Sequence, residues 1–339
     1  MKAWRLHDKE QLTLDELPIQ SVGEGCVKLK TLASGISITD VLMYEGKMPV
    51  SSAPLIIGRQ CVGLVTETGE NVTGLSRGDR VAADPFVCCK TCAPCKAGRH
   101  DECEKLVCYG VDDNGFMSDF SVVPASMLYV LPDRIKDSDA VFIEHIALSI
   151  NAVSKLNLDK GEHVVIVGAN ALGVIMAQVA LYYQAVPILV DTDAEMLRLA
   201  EDLGVYYTVN SVETDPMKKI FSITGGKMAE TVAFITTSRM AFGRSLEYVA
   251  PGGRVALIGH ADPDGDLSGG FTAVLNRQLK LMGVNNGARL FPAAINLLAT
   301  RTVDVSRLIS CEVGFADVES CVRASAQNPG RFIKAVVKP

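Results

Sequence analysis

From His163 onward, apolar runs and amphipathic stretches alternate along the chain, a pattern that predicts strands separated by helices. HVVIVG, PILVD, VYYTVN, TVAFITT, RVALIG and LKLMGVN read as six strands. LGVIMAQVALYYQ, AEMLRLAEDLG, the stretch around PMKKIFSIT and MAFGRSLEYVA read as helices between them. This βαβ rhythm predicts a doubly wound parallel sheet, an α/β fold. Before about residue 150 the pattern differs. Short runs such as VKLKTLAS, CVGLVTETG, DRVAADPFV and DFSVVPASMLYVL are broken by Gly, Pro, Asn and Asp, which predicts a β-rich domain with many turns. The tail from Phe291, with helical AAINLLAT and a last strand RFIKAVVK, is expected to fold back onto that first domain.

Length agrees with two domains, since 339 residues exceed one comfortable core at roughly 150 residues per domain. With 48% hydrophobic and 21% charged residues, the composition is that of a globular protein rather than a disordered one. A net charge of -6, without any Lys/Arg run, gives no basic field for nucleic acid. The opening MKAWRLHDKEQLTLDELP lacks the apolar core of a secretory signal, so a cytoplasmic location is expected. Val164 to Val190 carries no charge, yet Gly168, Asn170, Gly173, Gln178 and Pro187 punctuate it as strand, turn, helix and strand, not as a membrane span.

Five of the ten cysteines fall between Val87 and Cys103. Cys89, Cys92, Cys95 and Cys103 read C-x2-C-x2-C-x7-C, four thiolates spaced to close a tetrahedron around Zn2+. Four protein sulfurs leave no position for water or substrate, so this one zinc is expected to be structural. Cys26, Cys61, Cys108, Cys311 and Cys321 show no ligand spacing and read as small buried hydrophobes.

The turn after the first strand of the second half is Gly168-Ala169-Asn170-Ala171-Leu172-Gly173. Gly168 and Gly173 match the first and third glycines of a dinucleotide fingerprint, while Asn170 holds the place of the second. The turn opens a helix whose N-terminus suits a phosphate, and the next strand ends in Asp191, eighteen residues after Gly173. A carboxylate there accepts from ribose hydroxyls and repels a 2′-phosphate, so NAD(H) is expected over NADP(H).

The segments SGISITD, PLIIGRQCVGLV, GDRVA, the four-cysteine lobe, the Glu144 region and VDTD together carry a resemblance. Over essentially its whole length the chain resembles the medium-chain dehydrogenase/reductase family, in the zinc-containing branch of alcohol, polyol and threonine dehydrogenases. The resemblance implies a GroES-like catalytic domain of residues 1–148 and 287–339, with the zinc lobe at about 86–105, around a Rossmann NAD-binding domain of residues 149–286. It also implies a homo-oligomer, dimer or tetramer.

The catalytic zinc of that family does not carry over. Members read C-G-[ST]-D where this chain has Ser37-Ile38-Thr39-Asp40, and G-H-E-x-x-G where it has Gly58-Arg59-Gln60-Cys61-Val62-Gly63. Cys and His ligands thus become Ser37 and Arg59, the adjacent Glu becomes Gln60, and only Glu144 matches an acidic ligand position. A guanidinium stays protonated and repels a cation, and a serine hydroxyl is a poor zinc ligand. Arg59 is expected to stabilise negative charge in the reaction, to hold an anionic group of the substrate, or to form an ion pair with Asp40 or Glu144 in the vacated site, roles that do not exclude one another. Thr39 matches the family's proton-relaying hydroxyl, and Glu144 and His145 are further acid/base candidates. Thr236-Thr237 and Gly259-His260 end strands where the dinucleotide is expected.

These features point to an NAD(H)-dependent oxidoreductase without catalytic zinc, acting on a small carbonyl, alcohol or activated C=C compound, an anionic one among the candidates. Two alternatives are a zinc-dependent alcohol or polyol dehydrogenase with a metal site rebuilt on Glu144 and His145, and a regulatory protein that binds the cofactor without turnover.

Overall fold

The computed structural model describes residues 1–236, 239–259, 268–328 and 334–339. Contacts divide the chain into two compact units: Met1–Glu144 with Phe291–Ala299 and Leu308–Pro339, and His145–Leu290 with Thr300–Arg307. The sequence placed everything after residue 286 in the first domain, but residues 300–307 pack with the second. There Gln178 donates to the Asp304 carbonyl at 3.0 Å and accepts from its amide at 2.7 Å, and Arg307 meets Asp202 at 2.7 Å.

The first unit is built around the strand Cys26–Ile36, which pairs antiparallel with Gln60–Thr68, Phe120–Pro124 and Ala335–Lys338. Its alternation buries Val27, Leu29 and Ala33. The registers that matter for function are Gly35 opposite Gln60 on one side and Val336 on the other. They bring the start of the last strand and the start of Gln60–Thr68 to the same end of Cys26–Ile36, one on each side of it. The run DRVAADPFV divides into Arg80–Ala83 and Phe86–Val87, and DFSVVPASMLYVL into Phe120–Pro124 and Leu128–Val130.

The second unit holds six parallel strands in the order Tyr207–Asn210, Val186–Asp191, His163–Val167, Ala229–Phe234, Val249–Ile258 and Lys280–Val284. Numbered by chain position this is the 3-2-1-4-5-6 order of a doubly wound sheet. Its two central strands, buried on both faces, are the near-continuous apolar runs of the sequence. One helix is shorter than its pattern predicts: it ends at Ser245, and Val249 and Ala250 open a strand instead. Val249 pairs there in parallel with Ala229, and Arg277 holds its carbonyl. Helices Ile143–Leu156 and Val318–Gln327 were not read from the pattern. No helix among the described residues is long and apolar enough to cross a membrane.

Candidate active site

Ser37 follows the strand Cys26–Ile36 and caps the helix Ile38–Tyr44. Its amide and hydroxyl both donate to Asp40 Oδ2, at 2.8 and 2.7 Å, tying the first turn of the helix to its cap. Asp40 Oδ1 accepts the Gly58 amide at 2.9 Å, which binds this turn to the segment carrying Arg59. Gly58 sits at φ +92°, a conformation that favours glycine, and its carbonyl accepts the Phe116 amide at 2.9 Å.

Arg59 and Glu144 are 8% and 6% exposed, and Arg59 Nη2 meets Glu144 Oε1 at 2.7 Å. Of the two pairings expected for Arg59, the structure makes the one with Glu144, while Asp40 is engaged by Ser37 and Gly58. Burial opposes the charge on Arg59, but Glu144, then Cys108 and Asp40, outweigh it and hold the guanidinium above its usual range. Gln60 Nε2 donates to Glu144 Oε2 at 2.6 Å, so both carboxylate oxygens are engaged. Gln60 Oε1 accepts from Lys334 Nζ, a residue the sequence reading passed over. Burial pulls the Lys334 ammonium down to about 8, against the upward pull of Glu144 and Asp40. The sequence signal for it is slight: one lysine between apolar neighbours at the head of the last strand.

Thr39 is 0% exposed, and its Oγ1 has no hydrogen-bond partner among the described residues. His145 follows Glu144 on the helix Ile143–Leu156, where its carbonyl accepts the Ser149 hydroxyl at 2.8 Å.

In the four-cysteine lobe, the sulfurs of Cys89, Cys92, Cys95 and Cys103 lie within 4.8 Å of one another. Amides of Cys89 and Lys105 point at Cys103 Sγ, at 3.3 and 3.4 Å, and those of Thr91 and Cys92 at Cys89 Sγ, at 3.5 and 3.4 Å. Hydrogen bonds from Thr91, first its side chain, hold the Cys89 thiol down to about 5, while burial and the neighbouring thiols push Cys95 up to about 12. Sulfurs this close lose all their protons only around a cation, so the donor set fits a tetrahedral Zn2+.

The second unit places Gly168 at φ +115°, directly after the strand His163–Val167. A Cβ on Gly173 would run into the Gly168 carbonyl, so the two glycines permit the tight turn into the helix Ala171–Tyr182. Asn170 has φ -69°, which any residue adopts, and its side chain caps that helix by accepting the Gly173 amide at 3.1 Å. Ala169 and Ala171 are buried and Leu172 half-buried around the turn. Asp191 Oδ2 accepts the Ala169 amide at 2.5 Å, and Oδ1 accepts those of Thr192 and Asp193 at 2.6 and 3.0 Å. The carboxylate therefore stands beside the glycine turn. The Thr236 amide lies 3.2 Å from where a Gly168 Cβ would sit, whereas Thr237 and His260 lie outside the described residues.

Comparison with known proteins agrees with the two-domain fold. Residues 23–133 match an alcohol dehydrogenase GroES-like domain, and residues 171–300 a zinc-binding dehydrogenase domain. An uncharacterized zinc-type alcohol dehydrogenase-like protein of Haemophilus influenzae is 31% identical over 98% of this chain and 97% of its own length. L-threonine 3-dehydrogenase of Pyrococcus furiosus is 31% identical over 73% of this chain and 72% of its own. Among solved structures, a provisionally assigned zinc-binding dehydrogenase from Sinorhizobium meliloti 1021, bound to NADP, superposes with a TM-score of 0.90 at 25% identity, covering 100% of this chain and 99% of its own.

Proposed function

The chain belongs to the zinc-type alcohol dehydrogenases of the medium-chain dehydrogenase/reductase family, and on that premise we propose an NAD(H)-dependent oxidoreductase that works without a catalytic zinc. The observation that carries this reading is the Arg59–Glu144 pair. Glu144 is the one family ligand retained, and both its oxygens are taken, by Arg59 and by Gln60. With Ser37 bonded to Asp40 and a guanidinium in place of the imidazole, the residues do not fit a metal there. Cys89, Cys92, Cys95 and Cys103 hold one structural zinc in the same proposal.

When bound, NADH supplies a hydride and NAD+ accepts one. Reduction of a carbonyl places negative charge on its oxygen, which preorganised donors stabilise. Thr39 offers the hydroxyl for that oxygen. A buried hydroxyl without a partner costs about 1–3 kcal/mol, so a donor kept in that state is suited to a ligand. Arg59, held by Glu144, supplies a fixed positive group nearby, and Ser37 and Asp40 fix the turn that aims Thr39. Asp40, Glu144, Arg59 and Lys334 carry formal charges that cancel, which favours a neutral carbonyl, alcohol or conjugated C=C substrate over an anionic one. Assembly as a homodimer or homotetramer belongs to the same proposal.

The test pairs elemental analysis with cofactor turnover across a panel of small aldehydes, ketones, enones and alcohols. We expect about one zinc per chain and turnover that no added zinc increases. Two tightly held metals per chain would overturn the zinc-free reading, and no turnover on any class would overturn the enzymatic one.

A further inference from the structure

We propose that Lys334 is a positioning residue of this site, fixing through the Gln60 amide the direction in which Glu144 and Arg59 face. The inference rests on reading this cluster as the site of a zinc-free oxidoreductase. Lys334 stands immediately before the strand Ala335–Lys338, is 3% exposed, and donates from Nζ to Gln60 Oε1. An ammonium has three donors and no acceptor, so of the two ends of the Gln60 amide only the oxygen can face it. The amide nitrogen is thereby turned to Glu144 Oε2, at 2.6 Å, and Glu144 Oε1 is left for Arg59 Nη2, at 2.7 Å. Lys334 at one end and Glu144 at the other favour the same orientation of the amide.

Backbone geometry makes room for the first link. Gly35 is paired with Gln60 across the sheet, and a Cβ at position 35 would lie 2.7 Å from Lys334 Nζ, 2.5 Å from Val141 Cγ1 and nearer still to Gln60 Oε1. Any side chain at position 35 would press the lysine and the amide apart. The charged groups facing Lys334 are Glu144, Asp40 and Arg59, so its ammonium completes a buried set whose formal charges cancel. Without it the set carries one uncompensated negative charge, and Gln60 Oε1 loses the ammonium that anchors that end of the amide.

The test compares Lys334→Met with Lys334→Arg. The side-chain amide resonances of Gln60, assigned in 15N-labelled protein by their loss in Gln60→Leu, report the orientation directly. We expect them to move in Lys334→Met and to stay near their wild-type positions in Lys334→Arg. On a substrate found in the panel above, kcat/KM should fall by about tenfold or more in Lys334→Met, with NADH affinity unchanged, and recover largely in Lys334→Arg. Unmoved Gln60 resonances in Lys334→Met would overturn the inference. So would a loss of NADH affinity that accounts for the whole fall in kcat/KM, because Lys334 would then act on the cofactor. If Lys334→Met fails to fold, Gly35→Ala presses on the same contact and should move the same resonances. If the wild-type protein turns over nothing, the proposed function falls, and the Gln60 resonances alone decide the role of Lys334.

Discussion

A guanidinium and a carboxylate 2.7 Å apart beneath the surface stabilise each other only while both remain charged and hydrogen-bonded. Truncating Arg59 to Ala takes the ion-pair partner from Glu144, a carboxylate only 6% exposed. We expect a loss of about 3–5 kcal/mol in stability from thermal or urea unfolding. If Arg59 also stabilises charge on the substrate, kcat/KM of the folded remainder should fall while NADH affinity holds, and unchanged kcat/KM would reduce Arg59 to a structural ion pair. Lys334 gives a prediction in pH. Its folded-state value of about 8 lies below the ordinary 10.5, so between the two the unfolded chain binds more protons than the folded one. The cost of burying the ammonium is present in full below pH 8 and is relieved as pH rises through 8 toward 10.5. Melting temperatures from pH 7 to 10 should therefore move in favour of the wild type relative to Lys334→Met, by up to about 3 kcal/mol in stability, and a constant gap would refute it. Arg59 was legible because a family motif marks its position. Lys334 was not, since its partner lies 274 residues away and hydrogen bonds over that span leave no local pattern.

Elements differ in how far they can hold themselves. Around the four cysteines the pieces are a two-residue strand Phe86–Val87, a four-residue helix Ala93–Lys96, a short turn His100–Glu102 and a second two-residue strand Val107–Cys108. None is long enough to persist alone, so the bound metal is expected to supply the order. Cys95→Ser should abolish tight zinc binding and open the lobe to proteolysis within residues 87–107, and unaltered protease resistance would show that the lobe needs no metal. The strand–turn–helix at Gly168 behaves differently, because its glycines and the Asn170 cap form the turn from the chain alone. Asp191 beside it should disfavour a 2′-phosphate, so calorimetry should find NADH bound about tenfold more tightly than NADPH. Equal or reversed affinities would remove Asp191 from that role, a live outcome given the NADP bound to the Sinorhizobium meliloti protein. Periodicity identified the two central strands of this unit because burial on both faces leaves long apolar runs, and the outer ones because helical stretches alternate with them. It overran the helix ending at Ser245 because Tyr248, Val249 and Ala250 are apolar in either state, and only the pairing with Ala229 decides for strand.

At the scale of the whole chain, the first unit is assembled from segments far apart in sequence, and the candidate site draws on most of them. Ser37 to Asp40, Gly58 to Gln60, Glu144 and Lys334 meet because Ala335–Lys338 returns to pair with Cys26–Ile36, which also pairs with Gln60–Thr68. The two-domain plan was legible because composition and pattern change along the chain, whereas the return of residues 300–307 to the second unit depends on single hydrogen bonds such as those of Asp304. A scaffold that sets such distances through sheet register should keep them when the side chains change. Ser37→Cys, Arg59→His and Gln60→Glu made together restore the family ligands around Glu144, and the carboxylate introduced at position 60 would face the Lys334 ammonium in place of the present amide. We expect this triple variant to bind a second zinc, raising the content from about one to about two per chain by elemental analysis. Folding without a second zinc would mean that the register no longer holds the pocket open to a metal. Activity then separates the mechanisms. If Arg59 and Thr39 carry the native reaction, the zinc-loaded variant should lose turnover on the native substrate, because the fixed guanidinium is gone. A gain in turnover on that substrate would instead show that the site had kept its fit to metal chemistry, and would count against the zinc-free mechanism.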